Sequence, residues 1–207
     1  MDQEKFGKLI KEIRKTNNLT QKQLADKYNV TYQAVSKWEN GVNMPDISLI
    51  RQISKDFNIS LDELFDGFKI KIPSEFKIMS DEIVIIKYPN GNAPSLVYTN
   101  DKTTINVALV MDDVTMKNSQ IEEYVKTMES TYKNYSKDVK LNFGERNNHK
   151  IGEMKFTTQG SDTEIYNYII AFSVNDKLRL VNFNCTNEQM SEWQEVSKFI
   201  MVSIVFE

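Results

Sequence analysis

The sequence predicts an all-α N-terminal domain followed by an α+β domain built on a mostly antiparallel sheet. Three observations carry this. Over residues 1–66 apolar residues recur at i, i+3, i+4 and i+7, the spacing of amphipathic helices. At Gly67 the period switches to alternation, the pattern of half-buried strands. Beyond residue 118 two helical stretches bracket four strand-like runs, and an order of strands, helix, strands, helix reads as α+β.

A chain of 207 residues holds one large or two small domains. The boundary is placed between 67 and 68. The net charge of −3 is unusual for a protein that meets phosphates, which call for Lys and Arg. Residues 1–67 carry ten basic and ten acidic groups, so any positive face there must be local. Cys185 is the single cysteine, which excludes an intramolecular disulfide and fits a reducing compartment. The N-terminus lacks a signal peptide's apolar core, and no run approaches the ~20 apolar residues of a membrane span. A cytoplasmic protein with no membrane contact is expected.

In chain order, Asp2–Lys15 places Phe6, Leu9, Ile10 and Ile13 on one helical face, with Lys5, Lys8, Lys11, Arg14 and Lys15 on the others. Asn17-Asn18 breaks that helix. Thr20 can cap the next, which buries Leu24, Ala25 and Tyr28. Asn29 at the bend tolerates φ > 0, and Ala25 is small where a neighbouring helix must cross closely. Thr31 caps a further helix that turns Val35 and Trp38 inward and Tyr32, Gln33, Ser36 and Lys37 outward. Gly41 ends it as a C′ glycine. Two short helices at a steep angle, the second with a polar outer face, form a helix-turn-helix arrangement. Asp46 then lies in the first turn of a fourth helix with Ile47, Leu49, Ile50, Ile53 and Phe57 as its core face. Ser60 and Glu63 form a capping box for a fifth, closed by Leu61, Leu64 and Phe65.

Residues 1–66 resemble the helix-turn-helix domain of the Cro/repressor (xenobiotic-response-element) family. The resemblance rests on LTQKQLA, VTYQAVSKWENG and PDISLIRQISKDFNISLDELF, with Asn29 where many relatives carry glycine. It implies a partner, double-stranded DNA, with the second helix of the motif in the major groove. It also implies that Thr31, Tyr32, Gln33 and Lys37 face the bases with Ser36 close by, that Gln21 and Asn40 touch phosphates, and that some first-helix lysines flank the backbone. Chemically, Gln33 suits the N6/N7 edge of adenine, Lys37 suits guanine or a phosphate, and Tyr32 suits a thymine methyl. One such helix reads too little sequence for a unique site. A homodimer on a pseudo-palindromic operator, acting as a repressor, is therefore expected.

From Phe68 the alternating runs are FKIKIP, EIVIIKYP, SLVYTN and TTINVALV, punctuated by Pro73, Pro89-Asn90-Gly91 and Asn100-Asp101. The stretch SQIEEYVKTMESTYKNY then lines Ile121, Tyr124, Val125, Met128 and Tyr132 along one helical face. Four strands follow, VKLNFGE, HKIGEMKFTT, EIYNYIIAFSV and KLRLVNFNC, the last two joined by the turn dipeptide Asn175-Asp176. A last helix points Met190, Trp193, Val196, Phe199 and Ile200 inward, and a short extended end is expected after it. This order is similar to the PsbP-like fold, an α/β/α sandwich, on FKIKIPSEF, SQIEEYVKTMES, HKIGEMKFTTQ and FIMVSIVFE. The resemblance implies a non-catalytic module for binding or assembly.

No catalytic constellation stands beside these patterns. His149 is the only histidine and follows the polar loop Arg146-Asn147-Asn148, so zinc would have to be completed by carboxylates. Cys185 reads as a buried inert thiol rather than a redox switch. Asp112-Asp113 and Glu122-Glu123 are adjacent pairs that share no helix face. Trp38 reads as core. No enzyme, cofactor or metal is expected. Residues 68–207 would dimerise the protein, sense a small-molecule effector or bind a protein effector, and with no polar cluster standing out, dimerisation is favoured. The competing reading is an antitoxin or anti-regulator whose C-terminal domain binds a partner protein and whose DNA binding is autoregulatory.

Overall fold

The computed structural model describes residues 3–57, 67–111, 114–136, 138–160 and 162–206, and its contacts divide the chain into two units, Met1–Gly67 and Phe68–Glu207. In the first unit the helices are α1 Gln3–Thr16, α2 Gln21–Lys27, α3 Tyr32–Glu39 and α4 Ile47–Phe57. The fifth helix expected at Ser60–Phe65 lies outside the described residues. Local chemistry sets each boundary. Thr20 Oγ1 accepts from Gln23 N at 3.1 Å while Gln23 Oε1 accepts from Thr20 N at 2.8 Å, a reciprocal capping box on α2. Thr31 Oγ1 accepts from Ala34 N at 3.2 Å and caps α3. Asp46 differs from expectation: it precedes α4 and caps it, its Oδ1 accepting from Leu49 N at 2.9 Å.

The first three helices end alike. Asn18, Asn29 and Gly41 take φ of 54°, 53° and 65°. The residue after each donates back across the last turn: Leu19 N to Arg14 O, Val30 N to Ala25 O and Val42 N to Lys37 O, at 2.9, 3.0 and 2.9 Å. These are Schellman endings, which satisfy carbonyls that would otherwise lack a donor. Phe6, Ile10, Leu24, Ala25, Val35, Trp38, Ile50 and Ile53 form the core between the helices.

The second unit holds a seven-stranded antiparallel sheet in the order β2-β3-β4-β8-β7-β6-β5. Its strands are β2 Lys77–Ile78, β3 Leu96–Thr99, β4 Asn106–Val110, β5 Lys140–Arg146, β6 His149–Gln159, β7 Glu164–Val174 and β8 Lys177–Thr186. A separate two-stranded ribbon pairs β1 (Phe68–Lys69) with β9 (Val205–Phe206), tying the two ends of the unit together. The hairpins β5-β6 and β7-β8 turn through Asn147-Asn148 and Asn175-Asp176, all four residues at positive φ as a two-residue type I′ turn requires.

Register parity assigns the layers. One face carries Val97, Ala108, Met154, Phe156, Ile169 and Ala171, under α5 (Asp81–Lys87) and α6 (Ile121–Tyr132). The opposite face carries Val107, Leu109, Ile170, Phe172, Val181, Phe183 and Cys185, all buried. There α7 (Met190–Val202) contacts β7 and β8, and Phe68 and Phe206 of the ribbon pack edge-on against Phe172. Helices therefore flank an antiparallel sheet. Among the described residues no helix is long and apolar enough to cross a membrane.

Two expectations are corrected. EIVIIKYP is not a strand but α5. Ser80 takes the extended N-cap conformation, Asp81 and Glu82 sit in the first turn where the helix dipole favours carboxylates, and only Val84 is fully buried. Ile83 and Tyr88 pack partly against the same cluster, whereas Ile85 and Ile86 are 70% and 76% exposed, a helical rather than alternating pattern. In α7, Phe199 points outward at 53% exposure. The inward face is Ser197, Ile200 and Met201, continued by Ile204.

The α6 face was read correctly: Ile121 and Val125 are buried, with Tyr124, Met128 and Tyr132 packed against the same cluster. Its seat depends on Gly152, where a Cβ would stand 2.5 Å from Val125 Cγ2. Gly152→Ala is expected to cost about 1–3 kcal/mol by overpacking. Adding Val125→Ala should recover part of that loss in urea unfolding, since the clash is with a side chain.

Candidate nucleic-acid interface

The outer surface of α3 is built by its own periodicity. Val35 and Trp38 are buried, at 0% and 3% exposure, which fixes the rotation of the helix. Tyr32, Gln33 and Lys37 are then exposed, and Ser36 is half-buried between them. Gln33 and Lys37 are four residues apart and share one stripe with Asn40 three residues further on. Thr31 is exposed at the N-terminal end; its oxygen is taken by the cap, and its hydroxyl proton remains available. These five residues, Thr31, Tyr32, Gln33, Ser36 and Lys37, thus lie on one accessible surface.

The two residues expected at phosphates are placed differently. Asn40 is exposed, but its Nδ2 donates to Ser36 O at 2.8 Å, bracing the end of α3. Gln21 Nε2 donates to Glu39 Oε2 at 2.9 Å. Asn40 Nδ2 also lies 3.5 Å from Ser36 Oγ, whereas the Gln21 amide keeps a second N–H for an outside acceptor.

Behind this surface lies a network that the sequence reading missed. Glu39, the last residue of α3, is 7% exposed. Its carboxylate accepts from Arg14 Nε and, at 2.9 Å, from Arg14 Nη2, a two-point pairing, while Arg14 Nη1 donates to Leu19 O at 2.9 Å. One guanidinium thus joins the end of α1, the lead-in to α2 and the end of α3. Burial pushes the Glu39 carboxyl up, but the hydrogen bonds from Arg14 and Gln21 outweigh it and hold the group below the ordinary carboxylate value. Arg14 is raised in turn by its bond to Glu39. A signal was present: a carboxylate at a helix C-terminus opposes the dipole and calls for a cation.

Gly7 supplies the close approach of α1 to α3. A Cβ there would stand 2.3 Å from the Trp38 carbonyl oxygen. On the far side of α2, Tyr28 donates to Asp56 Oδ2 at 3.2 Å and Lys27 pairs with the same carboxylate at 3.2 Å, so Lys27 is neutralised locally. Lys8, Lys11, Lys15, Lys22 and Lys37 are exposed, on a unit whose total charge is balanced.

In the second unit, His149 Nδ1 lies 2.8 Å from the Ser173 carbonyl oxygen and its ring stacks on Phe206 at 4.1 Å between centroids. Cys185 is 1% exposed, and burial pushes its thiol up to about 11. Both are packed groups.

Residues 10–64 match the family model described as Helix-turn-helix. The chain is 35% identical over 86 residues to the HTH-type transcriptional activator BcrR of Enterococcus faecalis, covering 42% of each chain. It is 33% identical over 93 residues to the antitoxin PezA of Streptococcus pneumoniae, covering 45% of this chain and 59% of that one. The chain spans about half the length of the relatives it matches. Among solved structures it is similar to cyanobacterial PsbP from Synechocystis, with a TM-score of 0.47 and 9% identity, covering 69% of this chain and 88% of that one.

Proposed function

We propose that this chain is a sequence-specific DNA-binding transcriptional regulator that works as a homodimer and represses by occupying a pseudo-palindromic operator. The observation that carries the reading is the α3 surface. A capped helix with a buried Val35–Trp38 stripe presents Thr31, Tyr32, Gln33, Ser36 and Lys37 to solvent, inside a matched helix-turn-helix region. The geometry suits a major groove, with Gln33 on adenine, Lys37 on guanine or phosphate, and Gln21 and Asn40 on the backbone. The exposed lysines of α1 and α2 supply the attraction that the net charge lacks. The second unit provides the dimer contact. Phe199, Val202 and Val205 leave an exposed apolar strip along α7 and β9, at 53%, 66% and 49% exposure.

Gln33→Ala combined with Lys37→Ala tests this. Each lost base contact is worth about 1–3 kcal/mol per half-site. The double variant should therefore bind a selected operator no more tightly than random DNA in fluorescence anisotropy, with its circular dichroism and melting unchanged. Specific binding that survives the double change sinks the assignment of the reading face. In the competing reading the second unit binds a partner protein and the DNA contact is autoregulatory, as the likeness to an antitoxin suggests. It expects a stoichiometric heterocomplex rather than a homodimer in sedimentation.

A further inference from the structure

The two edges of the seven-stranded sheet are unlike. At one end β2 has two residues, a short edge of the kind that recruits no further strand. At the other end β5 runs seven residues, all paired with β6 in one register without a bulge. The hairpin closes through the two-residue type I′ turn at Asn147-Asn148, so the flanking pair Arg146–His149 is hydrogen-bonded. Ladder bonds then alternate. Lys140, Asn142, Gly144 and Arg146 turn their N–H and C=O groups toward β6, and Leu141, Phe143 and Glu145 turn theirs outward. Among the described residues no strand lies beyond β5, and nothing takes these outward groups. Past the start of β5 the edge is closed instead: the Thr157 N–H on β6 donates to Asp138 Oδ1 at 3.0 Å.

The side chains beside this open edge are sorted by face. Leu141 and Phe143 lie on the α6 side, half-buried against its cluster, with Lys126 Nζ 5.6 Å from the centre of the Phe143 ring. Lys140, Asn142, Gly144 and Arg146 lie on the α7 side, in register through Lys155 and Tyr168 with Phe183. There Lys140 stands directly opposite Lys155. Like charges so placed on neighbouring strands are destabilising. Lys155 Nζ rests over the Tyr168 ring at 4.1 Å, while Lys140 is exposed and makes no ion pair among the described residues. The acids nearby are already engaged. Glu153 holds Arg146 at 3.6 Å and accepts from Tyr168 at 3.0 Å, and Asp138 accepts from Ser136 and Thr157.

We propose that β5 is the docking edge for an extended acidic segment of a partner protein, which adds to it antiparallel as a further strand. The outward backbone groups of Leu141, Phe143 and Glu145 supply the ladder bonds. Apolar side chains of the segment cover Leu141 and Phe143 on one face. On the other, a carboxylate directly opposite Lys140 neutralises the Lys140–Lys155 pair. A second copy of this chain does not meet that need. The α7-side face of β5 carries Lys140, Asn142, Gly144 and Arg146 and no acid, so symmetric pairing centred on Phe143 sets Lys140 against Arg146 of the second copy. The inference does not depend on the DNA-binding reading, because peptide binding is measured on the protein alone. The dimer contact proposed on α7 and β9 leaves β5 unused.

The experiment is fluorescence anisotropy with the full-length chain and labelled peptides as long as β5. One peptide alternates Val and Glu, and its control alternates Val and Lys. Two further versions of the Val–Glu peptide carry N-methyl groups on every Val or on every Glu. Saturable binding of the Val–Glu peptide, and none of the Val–Lys peptide, is expected. Methylation on Val, whose N–H faces β5 in the antiparallel register, should abolish binding, and methylation on Glu should leave it. Lys140→Glu should weaken the Val–Glu peptide by about fivefold and admit the Val–Lys peptide. Its melting temperature should be equal or higher, since the change gives Lys155 an opposite charge. No saturable binding overturns the proposal. So does equal binding of the two peptides, indifference to methylation on Val, or an unchanged affinity in Lys140→Glu. Self-association in sedimentation that the Val–Glu peptide dissolves identifies a second copy as the occupant of the edge and overturns it too.

Discussion

Replacing Arg14 by alanine is expected to cost the first unit about 3–5 kcal/mol, the loss typical when one partner of a buried ion pair is removed. Glu39 would be left at 7% exposure, at the negative end of α3, with the Gln21 hydrogen bond and the charge of Lys11 alone to stabilise it. The Leu19 carbonyl would lose its guanidinium donor as well. Against a total stability of about 5–15 kcal/mol such a loss leaves a marginal domain. Urea unfolding followed through Trp38, in a Trp193→Phe background so that the first unit alone is read, measures it. Arg14→Met with Glu39→Leu should recover most of the loss, because a matched apolar pair carries no desolvation penalty.

The same pair sets an acid limb. Glu39 has a folded value below its unfolded one, so its contribution is fully present above the ordinary carboxylate range and is lost as pH falls through the folded value. Wild-type stability read at Trp38 should therefore drop below about pH 4.3. Glu39→Gln should start lower and fall less over that interval.

Gly7→Ala is the second large effect. In most helix interiors alanine gains about 1 kcal/mol over glycine. Here the added methyl meets the Trp38 carbonyl oxygen at 2.3 Å and Glu39 backbone atoms at 3.1 Å, and backbone cannot rotate away. Helix α1 must lift off α3, disturbing the Arg14–Glu39 contact. A net loss of about 2–3 kcal/mol is expected, the clash exceeding the propensity gain. Gly144→Ala is the internal control: nothing lies within 4 Å of its Cβ position, so stability should hardly change.

What the sequence disclosed, and what it hid, follows the range of the forces involved. Thr20, Asn29, Thr31 and Gly41 set helix ends through bonds to residues at most five positions away, so α2 and α3 were legible to the residue. The outward face of α3 followed from Val35 and Trp38. The α5 segment was misread because its β-branched run favours a strand locally, while the packing of Val84 and Tyr88 against Val97 and Ala108, which no local signal encodes, selects a helix. Phe199 was assigned inward as part of an apolar stripe with Met190, Trp193, Val196 and Ile200, but the buried side of the helix is Ser197, Ile200 and Met201, which leaves Phe199 at 53% exposure. Arg14 and Glu39 are 25 residues apart and Asn106 and Asn184 are 78 apart. Such pairings exist only once the chain has folded, so the phosphate role expected for Gln21 could not anticipate its bond to Glu39.

The most direct test of the central claim is selection from genomic DNA by the full-length protein, run beside the Gln33→Ala, Lys37→Ala variant at two salt concentrations. The account predicts a pseudo-palindromic motif with half-sites about one helical turn apart for the wild type and no motif for the variant. Absence of any motif with the wild type, or the same motif recovered by both proteins, would contradict it.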